Sequence, residues 1–157
     1  MGYDIASLLL WLDEIAVISF GFLGGVYFAF SFFVMQSLNE IEHIEAIKAM
    51  NSINLVILKS PFIFLFFFSS FVALTLFFES LFVYEILSLR GFASIIFLAG
   101  MFLCTAIKNI PLNDKLANFN DSLSPEIEWN YYYENWMMWN HVRTLSCFIS
   151  MTLLTIN

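Results

Sequence analysis

Residues 136–144 read WMMWNHVRT and set a carboxamide, an imidazole, a guanidinium and a hydroxyl among two tryptophans and two methionines. Asn140, His141, Arg143 and Thr144 are residue types that move protons and hold anions. At about 100° per residue, Trp136, Trp139, Asn140, Arg143, Thr144 and Cys147 share an arc of roughly 140°, with His141 on its edge. The other side of this helix is Met and Leu, so the stripe is one-sided. A charge at the bilayer centre costs about 2.5–3.5 kcal/mol on insertion scales, and Arg143 therefore needs an acceptor even off-centre. Asn109, Asn113, Glu128, Glu134 and the carbonyls around Pro111 are the candidates. A blander reading is an aromatic belt with packing glue, in which His141 only bonds a carbonyl.

The elements that must carry this stripe follow from composition. The chain has 157 residues, is 61% hydrophobic and 12% charged, and contains 20 Phe. A water-soluble fold of this size cannot hide that much apolar surface, so lipid is the matching solvent. A helix spanning the hydrocarbon needs about 20 apolar residues. Uncharged runs at 15–35, 60–78 and 91–107 meet or approach this, and a fourth must lie within 136–156. The sequence thus predicts one all-α domain over 1–157: a four-transmembrane-helix bundle with helices at roughly 8–35, 53–79, 84–107 and 136–156. Ile41, Ile44, Ile47 and Met50 predict an amphipathic interfacial helix between the first two spans. The stretch 108–135, rich in Asn and holding two prolines, is expected to be a long irregular loop. No cleavable signal peptide is expected, since a basic n-region is lacking and the first apolar run is too long. The localisation expected is the inner membrane of a bacterium, with multiple passes. Lys and Arg counts favour the long connections in the cytoplasm.

The first helix carries a stripe to match the last. Gly24, Tyr27, Phe28, Ser31 and Met35 lie near the line of Asp13, and Gly21 with Gly25 forms a small-xxx-small pair for close approach. Helices one and four are expected to face each other around a polar cavity floored by Tyr27, Ser31 and Met35, with Asp13 too far along to share it.

Several chemistries are excluded. The net charge of −7 and the lack of a basic face argue against nucleic acid. Glu40 and His43 have Glu-x-x-His spacing, but no second such pair exists for a di-iron bundle. Cys104 and Cys147 sit in apolar runs and read as small buried hydrophobes, too few for zinc or iron–sulfur ligation. No phosphate loop, nucleophile elbow or CxxC is present. No metal or other cofactor is expected.

GVYFAFSFFVM (25–35), AIKAMNSIN (46–54), NIPLNDKLA (109–117) and WMMWNHVRT (136–144) resemble the anthrone oxygenase-like membrane protein family. The resemblance implies a four-helix membrane fold and, from the characterised fungal members, conversion of an anthrone to an anthraquinone without metal or flavin. The matching positions are Asn109, Pro111, Asn113, Trp136, Trp139, Asn140, His141, Arg143 and Thr144. In that chemistry His141 is the expected base, with a reference pKa near 6.5. Arg143, Asn140 and Asn113 would hold the developing oxyanion. Trp136, Trp139 and Tyr27 would stack on flat rings, and Thr144, Asn109, Ser31, Met35 and Asn54 complete the expected binding set. The expected partners are membrane lipid, a lipophilic aromatic or quinoid molecule and O₂, with a homo-oligomer left open. The competing class is a non-enzymatic membrane protein holding a lipid, quinone or partner subunit in the same cavity.

Overall fold

A computed structural model describes residues 5–82, 88–120 and 124–156, with side chains from residue 11 onward. Every element among them is helical. Helix α1 (Ile5–Ala29) continues through a π-helical stretch (Phe30–Val34) into α2 (Met35–Asn39). Then come α3 (His43–Ile57) and α4 (Pro61–Phe82). Helix α5 (Leu89–Phe97) runs through two π-helical stretches (Leu98–Leu103, Thr105–Asn109) into α6 (Ile110–Ala117). Helix α7 (Pro125–Thr155) is the longest, at 31 residues.

Three of these stretches, Trp11–Asn39, Pro61–Phe82 and Leu89–Ala117, are long and apolar enough to cross a membrane. Their sequence pattern is graded outward. On α1 the buried residues Ala16, Phe20, Leu23 and Tyr27 recur at helical spacing, while Ile18, Phe22, Phe28 and Phe32 are exposed. On α4 the buried face mixes Ser69, Ser70, Ala73 and Ser80 with Phe66, Val72 and Leu76, and the outward face is Phe64, Phe67, Phe71 and Phe78. Ser69 and Ser70 donate to the carbonyls of Leu65 and Phe66, so their hydroxyls are satisfied without water. An exterior of phenylalanine is stable only in hydrocarbon.

Helix α7 packs along α1 and α5, and α4 packs along the same two. Close approach comes from glycines, though not the expected pair. Gly21 and Gly24 meet Met151 and Cys147 of α7, whereas Gly25 faces open space. Gly100 is tightest: a Cβ there would lie 1.8 Å from Ser146 Oγ.

At one end, α2, α3, α6 and the first turns of α7 enclose a second apolar cluster, in which Met35, Ile47, Met50, Leu116, Trp129 and Tyr132 are buried. The amphipathic helix is there as expected, burying Ala46, Ile47 and Met50, with Ile41 left exposed. The expected irregular stretch 108–135 is instead mostly helical. Pro125 falls in the first turn of α7, where a missing N–H costs nothing, and Pro111 follows directly on the π-helical stretch Thr105–Asn109 within the continuous run from α5 into α6. The turn around 121–123 and the connection at 83–87 lie outside the described residues.

Asp13 lies about 27 Å further back along α1 from Ser31. Arg90 is turned inward there at 6% exposure instead of snorkelling to the interface. Its Nε donates to both Asp13 oxygens at 2.9 and 3.0 Å, and Glu79 is 3.7 Å away. A bidentate carboxylate makes burial of the guanidinium tolerable, which snorkelling would otherwise have to do.

Candidate functional site

The polar stripe of α7 meets α1 in a closed hydrogen-bonded knot. Asn140 Nδ2 donates to the Tyr27 carbonyl and to Ser31 Oγ, each at 2.8 Å. Ser31 and Thr144 hydroxyls pair at 3.1 Å, and Thr144 also donates to the Asn140 carbonyl. The Tyr27 carbonyl and Ser31 stand where α1 gives way to its π-helical stretch. Such stretches are frequent where a functional side chain must be re-aimed.

The knot holds Arg143. Its Nη2 donates to Asn140 Oδ1 at 2.6 Å, and its guanidinium lies 4.4 Å over the Tyr27 ring and 4.9 Å from the Trp136 ring. Arg143 is 5% exposed. Among the described residues no carboxylate lies within ion-pair distance of it, and its buried Nε has no hydrogen-bond partner. Of the acceptors expected for it, none of Asn109, Asn113, Glu128 and Glu134 bonds it. Asn113 accepts instead from Tyr132 and from Trp136 Nε1, and Glu128 pairs with Lys115. Two aromatic faces replace an acid, worth up to about 2 kcal/mol each when desolvated. That offsets only part of the cost of burying a lone cation.

Arg143 opens onto a cavity of about 680 Å³. Its walls come from α1 and the π-helical turn after it, from α3, α4, α6 and α7. Tyr27, Asn54, Asn113, Trp136 and Arg143 of the expected binding set line it. Asn51, Thr105 and Asp114 line it too and were not anticipated. Asn51 stands three residues before Asn54, on the buried stripe of α3 that Ile47 and Met50 begin, and that register was the available signal. Asn51 Oδ1 and Asn54 Nδ2 are, like Arg143 Nε, buried without hydrogen-bond partners. Burial raises the Tyr132 phenol above its ordinary pKa, so it remains the donor to Asn113.

The other expected residues stand back from the cavity. Asn140, Ser31 and Thr144 form the knot behind it, and Asn109 donates to the Trp136 carbonyl at 3.3 Å. Met35 is packed in the apolar cluster, so of the expected floor only Tyr27 reaches the cavity. Trp139 lies under Lys108 at 4.7 Å, with the Cys104 thiol against its carbonyl. His141 is outside the lining: half-buried, its ring is 5.9 Å from that of Phe32. One residue along a helix is about 100°, and that rotation separates Asn140 and Arg143, which face inward, from His141. No group of His, Cys, Asp and Glu among the described residues is arranged to hold a metal ion.

The fold and site together define a helical membrane protein with an unneutralised guanidinium facing an apolar chamber. A family model for anthrone oxygenases matches residues 58–153, and the chain belongs to that family. The matched span holds Asn109, Asn113, Trp136, Asn140 and Arg143, while Tyr27 on α1, Ser31 in the π-helical stretch after it and Asn54 on α3 precede it. No curated protein matches the chain. No solved structure matches it either.

Proposed function

We propose that this chain is a multi-pass protein of a bacterial inner membrane, a four-helix bundle in which α7 is the fourth crossing. Its cavity binds a lipophilic aromatic or quinoid molecule through an oxygen that carries negative charge. Buried Arg143 carries the reading: among the described residues it has no acid partner, and its Nε is unsatisfied beside the cavity. A buried cation of this kind is stabilised by an anion that fits the chamber. Trp136, Tyr27, Phe62 and Phe66 supply flat walls.

The reaction that suits such a chamber is cofactor-independent oxygenation. A carbon acid flanked by an aromatic ketone loses its proton, and the electron pair moves onto the carbonyl oxygen. Arg143, with Asn54 Nδ2, stabilises that oxyanion. The electron-rich carbon then adds O₂ to give a hydroperoxide, which loses its remaining C–H proton and breaks its O–O bond, so that one oxygen atom stays as the new carbonyl and the other leaves as water. Asp114, a carboxylate in the lining, is the group suited to accept the proton. His141 does not line the cavity, which favours a second reading, a binding protein that holds an organic anion without turnover.

Oxygen uptake by the purified protein with a simple anthrone, corrected for spontaneous oxidation, separates the two. The oxygenase predicts protein-dependent uptake insensitive to chelators, and a loss of roughly 100-fold or more in Arg143→Met, the scale of a lost oxyanion donor. His141→Ala should leave uptake within about twofold, since a general base would contribute on the order of 100-fold or more. Anthrone binding that needs Arg143, with no uptake above background, would establish the binding protein and overturn the enzyme.

A further inference from the structure

The polarity of the cavity lining changes along α3. Asn51, Asn54, Leu55 and Leu58 share an arc of roughly 100° along α3 and its C-terminal cap, so the lining stripe runs from carboxamides to aliphatic side chains. Phe62, Ile63, Phe66 and Phe67 of α4 continue it without a polar atom. The unpartnered buried atoms, Arg143 Nε, Asn54 Nδ2 and Asn51 Oδ1, belong to lining residues outside this apolar stretch. The apolar stretch is also open. Leu58 and Phe67 line the cavity yet are 61% and 58% exposed, and Phe67 lies inside a stretch fit to cross the membrane. Exposure at that place is exposure to acyl chains.

We propose that the natural ligand is an amphiphile, an acidic phenol or enolisable aromatic ketone bearing an aliphatic chain. Its oxygen sits at Arg143 and its chain leaves between α3 and α4 into the bilayer. This rests on the reading of Arg143 as the anion site and adds the ligand's second half and its route. The chain never has to enter water, because the cavity's apolar stretch meets lipid directly. A tail gains little by passing from lipid to an equally apolar groove. The groove therefore acts by admitting the chain, and its effect appears when it is blocked.

The test uses para-nitrophenol and ortho-decyl-para-nitrophenol with the full chain in lipid nanodiscs. Affinity is expressed against the probe concentration in the membrane, and the phenolate absorbance band reports binding. Leu58→Trp, which fills the groove, should weaken the decyl probe by about tenfold or more and leave the tail-less probe within about twofold. A decyl chain carrying a diazirine near the head should, on illumination, attach to residues 55–67. Equal loss of both probes, no loss of either, or attachment scattered over the exposed phenylalanine belt would overturn the tail route while leaving the anion site intact. Binding of the tail-less probe that is unchanged in Arg143→Met, or absent from wild type, would overturn the anion site and this inference with it.

Discussion

Arg143 sits in the chamber on three supports: the Asn140 oxygen, the Tyr27 ring and the Trp136 ring. Asn140 is the hinge of that arrangement. Its oxygen accepts from Arg143 while its nitrogen donates to α1 at two points. Asn140→Ala removes the donor to the Tyr27 carbonyl and to Ser31 and leaves the guanidinium without its acceptor. We expect a stability loss of about 1–3 kcal/mol, measured as a lower unfolding temperature in detergent, together with weaker binding of para-nitrophenol. Destabilisation without weaker binding would mean that the two rings alone position Arg143. The polar residue types were legible in residues 136–144, and so was their sharing of one arc. Their division of labour was not. Arg143 faces the cavity, Asn140 braces it and His141 turns away, and only the rotation of α7 about its own axis decides this.

Helix α7 can present Arg143 because its neighbours come unusually close. Gly100 lies in a π-helical stretch and meets Ser146 where any side chain would collide. Gly100→Ala should therefore destabilise by about 1–3 kcal/mol, the cost of overpacking, and Ser146→Gly in the same chain should recover most of it. Gly25→Ala is the control, since nothing stands within 4 Å of its added Cβ, and it should be neutral. Thermal unfolding of the three variants beside wild type checks both statements, and a failure of Ser146→Gly to rescue would sink the contact. The Gly-xxx-Gly spacing on α1 was visible in the sequence, yet Gly21 and Gly24 are the pair that reaches α7. Spacing gives a face, and the partner helix selects which edge of that face is used. The stretch 108–135 misled for a related reason. Its prolines look like breakers, but Pro125 starts a helix and Pro111 sits just after a π-helical stretch in a run that continues through it.

Across the whole molecule, the Asp13–Arg90 pair and the cavity are separated by most of the length of α1. The Asp13–Arg90 pair, with Glu79 beside it, belongs to one end. The cavity and the helices α3 and α6 belong to the other. If α7 is a fourth crossing, α3 and α6 face one compartment, and the Lys and Arg counts put that compartment in the cytoplasm. Lys48 on α3 has a side chain 64% exposed and is suited to report it. Lys48→Cys, with the native Cys104 and Cys147 buried, should react with an impermeant maleimide in inverted vesicles and not in intact spheroplasts. Labelling in spheroplasts would reverse the orientation.

Apolar runs, a phenylalanine excess and two specific motifs determined by themselves that the chain is helical, suited to a membrane and of the anthrone oxygenase family. These properties are carried by composition and local spacing, which each residue contributes independently of its distant neighbours. The tertiary structure decided which polar groups meet. It gave Arg90 the carboxylate that Arg143 lacks, and it left Arg143, Asn51 and Asn54 with unspent hydrogen-bonding capacity around one cavity. Neutralisation of a buried charge depends on what lies within a few ångströms across helices far apart in sequence, and that distance is set by packing alone.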